Sequence, residues 1–282
     1  MPIEITITGN GGKRCIMNRK EMFVRPACAL LVFLVAQVVG GVFIAVAGGM
    51  LAPGGGALGV SVRLLAWGLL LSSVLCCGVL MGVRQWGLAG ALRGLGCGKR
   101  AACAGVLSFV SGMVGVSLLT ELLRLPDATE GMFEGLSETW IGVLAVGICG
   151  PVAEELVFRG GVVGGFVRGG MRPWVAVGVG ALVFGAVHFN WAQLPAGVCA
   201  GALLGIIYVR TRSLVIPCIC HVLNNLSSLA LMHFGSEDAA RRSLSDMLGT
   251  GPSVCVALVA LALCVGLLRS FCLTAVSSDE NE

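Results

Sequence analysis

Eight apolar segments of 16 to 27 residues follow one another along the chain and leave only short loops between them. A helix needs about 20 apolar residues to cross the hydrocarbon core of a bilayer. Because every backbone polar group must be paired inside a bilayer, such segments are predicted to be helices. We therefore predict an all-α, polytopic membrane protein with about eight transmembrane helices. The predicted segments are Cys28–Met50, Leu64–Val83, Ala101–Leu123, Trp140–Phe166, Trp174–Phe189, Trp191–Val209, Leu214–Phe234 and Val254–Leu273.

Composition agrees with this interpretation and excludes other classes of protein. Only 12% of the residues are charged and 56% are hydrophobic, whereas soluble domains carry about 25% charged residues. The formal net charge is +4, and the basic residues form short clusters between the apolar segments. Clusters of this kind do not indicate nucleic-acid binding, because that function requires a continuous basic surface. The lipid bilayer is the first predicted partner. Most of the thirteen cysteines lie within apolar runs, where they act as small hydrophobic residues.

The distribution of lysine and arginine predicts the orientation of the chain. Fourteen of the 19 basic residues fall on one side of the predicted spans, four fall on the other, and Arg159 lies within a span. Cytoplasmic loops are enriched in lysine and arginine, so both termini are predicted to be cytoplasmic. The acidic loop Leu125–Glu138 is then external. Short loops and a high glycine content favour a multi-pass protein of the bacterial plasma membrane, the inner membrane.

Three charged residues interrupt the fourth segment: Glu154, Glu155 and Arg159. Ionisable groups within a membrane span are costly and usually serve a function. Gly150-Pro151 precedes them and predicts a break or kink in the helix just before the glutamates. Glycines after Arg159, at four-residue spacing, predict a close approach of this helix to a neighbour.

Helical spacing suggests how the two carboxylates divide their roles. Residues four apart share a helix face, so Glu155 is predicted to pair with Arg159 and to stay ionised. Glu154 points about 100° away and is the carboxylate free to accept a proton from water. The Phe184-x-x-x-His188 and His221-x-x-x-Asn225 motifs add two imidazoles and an amide from later segments.

The depth of these groups can be estimated from the length of helix that precedes or follows them. At about 1.5 Å per helical residue, Glu154 and His188 both lie roughly 20 Å from the cytoplasmic ends of their helices. His221 lies nearer that side, at roughly 13 Å. Asn224, next to Asn225, is expected to point to a different side of its helix.

The ordered set Glu-Glu-x-x-x-Arg, Phe-x-x-x-His and His-x-x-x-Asn resembles the CPBP family. This family comprises type II CAAX prenyl endopeptidases and related bacteriocin-processing and immunity proteins. The resemblance covers residues 140–235 as a catalytic core. Residues 1–27 are then a cytoplasmic leader, 28–139 are N-terminal transmembrane helices, and 236–282 hold an external loop, the last helix and a cytoplasmic tail.

The resemblance implies an intramembrane endopeptidase that acts on a membrane-associated peptide or protein. Glu154 would activate water with help from His188, and His221 with Asn225 would stabilise the oxyanion. Glu155, Arg159 and Phe184 would support these groups. No metal ligand and no cofactor is assigned.

Three alternatives stay open. Two carboxylates and two imidazoles could hold zinc in a metal-dependent version of the same protease. The same groups could form the relay of a proton- or cation-coupled transporter. The charged residues could also form a buried cluster that only fixes the packing of the helices.

Overall fold

The computed structural model describes residues 19–51, 61–127, 129, 131–234 and 244–276, and every regular element in these ranges is a helix. The predicted all-α class is therefore confirmed. Most of the predicted leader, residues 1–18, lies outside the described residues, as do residues 277–282 of the predicted tail. The described residues form eight main helices: α1 Arg19–Leu51, α2 Val62–Gly82, α3 Lys99–Leu122, α4 Trp140–Arg168, α5 Pro173–Ala186, α6 Leu194–Thr211, α7 Val215–Phe234 and α8 Thr250–Val276.

Seven of these helices are long and apolar enough to cross a membrane, so the chain is a multi-pass membrane protein. The fifth predicted span is shorter than expected. Helix α5 has 14 residues and ends at Ala186, which makes it about 21 Å long. His188, which was predicted to lie on this helix, lies in the turn after it, and Phe189 has a positive φ of 48°.

Of the break or kink predicted at Gly150-Pro151, the break is not observed: helix α4 runs through both residues, but its winding changes there. The helix changes to π-helical winding over Val143–Cys149 and again over Leu156–Val163, with an α-helical turn, Gly150–Glu155, between the two stretches. In the first stretch the N–H of Gly150 donates to the carbonyl of Ala145, five residues back. Pro151 has no N–H to donate, and the wider winding accommodates it without ending the helix. The glutamates thus stand between two π-helical stretches.

Helix α4 is the most enclosed of the spans, and glycines allow its neighbours to come close. All eight residues of its second π-helical stretch are buried. Gly161 faces Ala29 of α1, and a Cβ added to Gly165 would lie 2.8 Å from Cδ of Pro26, which is also in α1. The predicted close approach along this row of glycines is therefore observed, and α1 is the helix that makes it.

The loops separate onto two opposite faces of the protein. On the first, which we call the basic face, Leu214 N–H donates to Ala91 O at 2.8 Å and Arg25 Nη2 donates to Trp86 O at 2.9 Å. On the second, the acidic face, Ala192 N–H donates to Pro126 O at 3.3 Å. Helix α5 joins the two faces in spite of its length. The basic face carries Arg84, Arg93, Lys99, Arg100, Arg168, Arg172, Arg210 and Arg212; the acidic face carries Glu121, Asp127, Glu134, Glu138 and Asp246, with Arg63 and Arg124.

The contact between α5 and α6 leads to a test of the packing. A Cβ added to Gly201 would lie 2.8 Å from Cα of Ala181, so Gly201→Ala should force the two helices apart. Overpacking of this kind typically costs about 1–3 kcal/mol. We expect a lower midpoint of thermal unfolding in detergent for this variant. Gly178→Ala is the matched control, because a Cβ there meets no atom within 4 Å. Equal midpoints for the two variants would contradict the packing.

Candidate active site

A cavity of about 660 Å³ lies in the half of the protein that bears the acidic face. Glu154 of α4, His188 and His221 line it, together with Asn225 and Phe184. Helices α1, α2 and α3 contribute the opposite wall, which includes Gln37, Ser72, Ser73, Phe109, Met113 and Ser117. The structure thus brings the four predicted catalytic residues and one supporting residue to a single cavity. The other two supporting residues, Glu155 and Arg159, lie behind its wall.

Four of these side chains form a continuous ionic string that ends in the cavity. Arg159 Nη1 lies 2.9 Å from Glu155 Oε1, and both side chains are almost completely buried, at 1% and 0% exposure. His221 Nδ1 contacts the same Oε1 at 2.8 Å. On the other side of the ring, Nε2 lies 3.6 Å from Oε2 of Glu154, whose side chain is 24% exposed. Of the two carboxylates in the string, only that of Glu154 therefore reaches the cavity.

The contact between Glu155 and Arg159 is the pair predicted from their four-residue spacing. Nη1 lies at hydrogen-bond distance from Oε1, but neither of its N–H bonds points at that oxygen. The attraction is therefore mainly ionic. The guanidinium also stacks on the ring of Phe184, 4.3 Å from its centroid, and Nη2 donates to Ala200 O at 3.5 Å. A buried ion pair holds its charge only with such additional partners. Phe184 is one of these partners, because its ring packs against the cation.

His221 lies deeper than its distance from Arg212 predicted. That prediction takes α7 to begin at the membrane surface, but the helix begins inside the protein. Leu214 is completely buried and Ser213 is 3% exposed, and the Ser213 hydroxyl donates to Gly94 O. The start of α7 is thus inset under the loop before α3, and His221 reaches the level of both glutamates.

The partners of both histidines determine which ring nitrogen carries the proton. His188 Nδ1 lies 2.8 Å from the carbonyl oxygen of Phe184, and His221 Nδ1 lies 2.8 Å from the Glu155 carboxylate. A carbonyl oxygen only accepts, and so does a carboxylate held ionised by an arginine. Both Nδ1 atoms must therefore donate, so each Nε2 is the ring nitrogen left for groups in the cavity.

The side chain of Asn225 binds a main-chain carbonyl of α4 that has no main-chain donor, because the residue in the donor position is Pro151. In the π-helical winding of α4, the donor for Val146 O would be the residue five positions later, and that residue is Pro151. Asn225 Nδ2 takes its place and donates to Val146 O at 3.0 Å. One N–H of the amide remains for the cavity. Asn224, which was expected on a different side of the helix, also lines the cavity and donates to Asn225 Oδ1 at 3.4 Å.

A second polar cluster, which the sequence did not predict, fixes the turn that carries His188. Asn190 Nδ2 donates to Asp127 Oδ1 at 2.7 Å and to Thr129 Oγ1 at 3.0 Å, and Gln193 Nε2 donates to the same hydroxyl at 3.2 Å. We call these four residues the loop clasp. The sequence places Asp127 in the acidic loop, but no pattern in it links that loop to the turn after His188.

The donor set does not suit a metal ion. Among the described residues, no three His, Cys, Asp or Glu side chains are arranged to hold one. Glu155 is already engaged by Arg159 and by His221 Nδ1, which leaves Glu154 and His221 Nε2 as the two adjacent open donors. Zinc sites in proteins use three or four protein ligands. The zinc alternative therefore finds no support in this geometry.

The buried pair can be tested by removing its cation. Arg159→Met leaves the carboxylate of Glu155 charged and without its ionic partner in a buried site, a change that typically costs about 3–5 kcal/mol. We expect a large fall in the thermal midpoint in detergent, together with loss of activity. Arg172→Met, at an exposed position of the basic face, is the control and should unfold like the wild type. A full wild-type midpoint for Arg159→Met would show that the pair does not stabilise the fold.

The loop clasp gives a pH-dependent prediction. Burial raises the pKa of Asp127, but hydrogen bonds from the Thr129 N–H, the Thr129 hydroxyl and Asn190 outweigh it and hold the pKa below its ordinary value. The carboxylate therefore adds stability at pH values above the unfolded pKa of about 3.9, and this contribution is lost as the pH falls through the lower folded value.

Asp127→Ala should accordingly unfold at a lower temperature than the wild type, by a constant difference between about pH 5 and pH 8. The difference should shrink below about pH 4. Glu134→Ala, an exposed carboxylate on the same face, should show no such dependence. A constant difference down to about pH 2 would mean that the charge of Asp127 does not matter.

Comparison with known proteins was consistent with the resemblance seen in the motifs. Residues 136–227 match the Rce1-like family, described as type II CAAX prenyl endopeptidase Rce1-like. Over 90 residues the chain is 31% identical to the membrane-embedded CAAX protease MroQ of Staphylococcus aureus (strain USA300), a match that covers 30% of this chain and 36% of MroQ. The chain thus matches about a third of the length of this relative. No solved structure matches the chain significantly. The matched segment contains every predicted site residue, and over that segment the chain is similar to the type II CAAX prenyl endopeptidases.

Proposed function

We propose that the protein is an intramembrane endopeptidase that hydrolyses a peptide bond of a membrane-associated peptide or protein. The ionic string carries this proposal, because it presents one carboxylate and one imidazole nitrogen to a cavity between membrane helices. Similarity to CAAX proteases over residues 136–227 supports the same class of reaction. We further propose that the protein resides in a bacterial plasma membrane, with both termini in the cytoplasm.

In this proposal Glu154 is the general base. A water molecule bound between its carboxylate and His188 Nε2 gives a proton to Glu154 as its oxygen attacks the carbonyl carbon of the substrate. The proton then passes from Glu154 to the leaving nitrogen as the C–N bond breaks. Proton transfer by a positioned group of this kind contributes typically about 10²- to 10⁴-fold to the rate.

Asn225 and His221 stabilise the oxyanion that forms in the transition state. Asn225 keeps one N–H of its amide for this task, because the other is bound to Val146 O. The proton that Glu154 takes from water can pass to His221 Nε2, which lies 3.6 Å away, so that His221 donates to the oxyanion while Glu155 at Nδ1 balances the charge of the imidazolium. The proton returns to Glu154 as the C–N bond breaks. Donors that are fixed before the reaction stabilise an oxyanion most effectively, and both side chains are fixed by partners outside the cavity.

The attack is direct, without an acyl-enzyme. A serine nucleophile requires a base that accepts its hydroxyl proton. Three of the serines that line the cavity instead donate to carbonyls of their own helices: Ser72 and Ser73 to Leu69 O, and Ser228 to Asn224 O. Water activated by a carboxylate is the nucleophile that these contacts favour.

The central residue can be tested while the substrate is still unidentified. Membranes from cells that produce the wild type or Glu154→Gln are compared by mass spectrometry of peptide termini. The amide keeps the shape of the side chain but cannot accept a proton, so we expect new termini in the wild type that are absent from the variant. Glu134→Gln is the matched control and should behave like the wild type. Termini that persist in Glu154→Gln would contradict the assignment of the general base.

A chelator separates the glutamate mechanism from the zinc alternative. Because the proposed chemistry uses the residues of the chain alone, incubation of the membranes with 1,10-phenanthroline should leave the new termini unchanged. Loss of the termini on chelation and their return on addition of zinc would favour the metal-dependent mechanism.

Two neighbouring amides test the position of the oxyanion. Loss of one oxyanion donor typically costs about 100- to 1,000-fold in turnover. We expect Asn225→Ala to keep a slow activity at this level with substrate binding little changed. Asn224→Ala removes only the 3.4 Å contact to Asn225 Oδ1 and should be nearly neutral. A larger loss for Asn224→Ala, measured as turnover in parallel, would show that the other amide faces the reacting carbonyl.

A further inference from the structure

The cavity and most of the basic residues lie on opposite faces of the protein. Among the described residues, the loops and helix ends of the basic face carry most of the arginines and lysines, whereas those of the acidic face carry Arg63 and Arg124 among five carboxylates. Cytoplasmic loops of membrane proteins are enriched in lysine and arginine. The basic face is therefore the cytoplasmic one.

The cavity opens toward the acidic face. Its lining extends from Glu154 and His221 outward to residues at the acidic ends of α3, α6 and α7 and of the loops between helices, and it includes no residue from the loops of the basic face. The outermost lining residues are Glu121, Arg124, Leu125, Asp127, Met132, Gln193 and Met232. Asp127, Arg124 and Glu121 thus mark the mouth of the cavity.

Packed side chains close the path from the site to the basic face. Below Glu154, Arg159 and Phe158 are each 1% exposed, Val157 is completely buried, and Leu214 at the start of α7 is completely buried as well. A peptide cannot pass through such a layer without unpacking the core. The catalytic groups are therefore reached from one side.

We infer that the substrate enters from the non-cytoplasmic side of the membrane. This inference rests on the proposed function, because only an enzyme has a substrate. The direction of access to the cavity, however, follows from the cavity and the loop charges alone. The substrate class is then a peptide or membrane protein whose cleavage site is exposed on the outer side, such as an exported peptide or the outer end of a membrane-spanning segment. A cleavage site held at the cytoplasmic surface would meet the closed side of the protein.

Cysteine labelling in whole cells tests the direction of access. Three full-length variants are compared: Trp191→Cys in the exposed turn near the mouth, Asn224→Cys in the cavity wall, and Arg93→Cys on the basic face. The probe is a positively charged, membrane-impermeant methanethiosulfonate, which suits a cavity that contains carboxylates. Modification is read by mass spectrometry of the peptide that carries each position, because the chain has 13 cysteines of its own.

In intact spheroplasts we expect Trp191→Cys and Asn224→Cys to be modified, and Arg93→Cys to be modified only after the membrane is permeabilised. Modification of Arg93→Cys in intact spheroplasts, with the other two protected, would overturn the orientation. Modification of Trp191→Cys without Asn224→Cys, before and after permeabilisation, would overturn access through the mouth. Because labelling does not require turnover, a protein that is catalytically silent would still report the direction of access, and the two proposals can fail separately.

Discussion

The ion pair between Arg159 and Glu155 is the interaction on which the site depends. It lies among fully buried apolar side chains, where a single charge would be expensive. Because the guanidinium keeps Glu155 ionised, the carboxylate accepts a hydrogen bond from His221 Nδ1 and turns the opposite nitrogen of the ring toward Glu154. The ion pair does not reach the cavity itself, but it orients the imidazole of His221, which does. Phe184 protects the cation from one side and separates the two imidazoles, with ring centroids 5.2 Å from His188 and 5.6 Å from His221.

The unusual winding of α4 serves the same site. Two π-helical stretches flank the turn that carries the glutamates, and π-helical segments in other proteins are frequently found at functional sites. Here the winding accommodates Pro151 within a continuous helix and leaves Val146 O to be bound by Asn225. Pro151, which has no N–H, thus determines where the side-chain amide of Asn225 is held. This relation joins two motifs that are separated by about seventy residues in the sequence.

Much of this arrangement could be predicted from the sequence, since it depends on spacing within single helices. The pairing of Glu155 with Arg159 follows from four-residue periodicity, and the apolar segments predict the class of fold. Relations between helices were harder to predict. The depth of His221 depends on how far the start of α7 is inset under another loop, and the loop clasp joins Asp127 to Asn190 across a contact that no local pattern records. The presence of Asn224 in the cavity lining could not be predicted either, because it depends on a cavity wide enough to take side chains from more than one side of a helix.

The protonation state of the His221 ring can be measured directly, and the chain favours the measurement because it has three histidines. NMR of the protein labelled with ¹⁵N-histidine distinguishes a protonated from an unprotonated ring nitrogen, and His221→Gln assigns the signals. The account predicts that His221 carries its proton on Nδ1 and has an unprotonated Nε2 in the resting protein at neutral pH, and that Glu155→Gln abolishes this preference. A proton on Nε2 with a bare Nδ1 in the wild type would mean that Glu155 does not orient the ring, and the proposed site would lose its foundation.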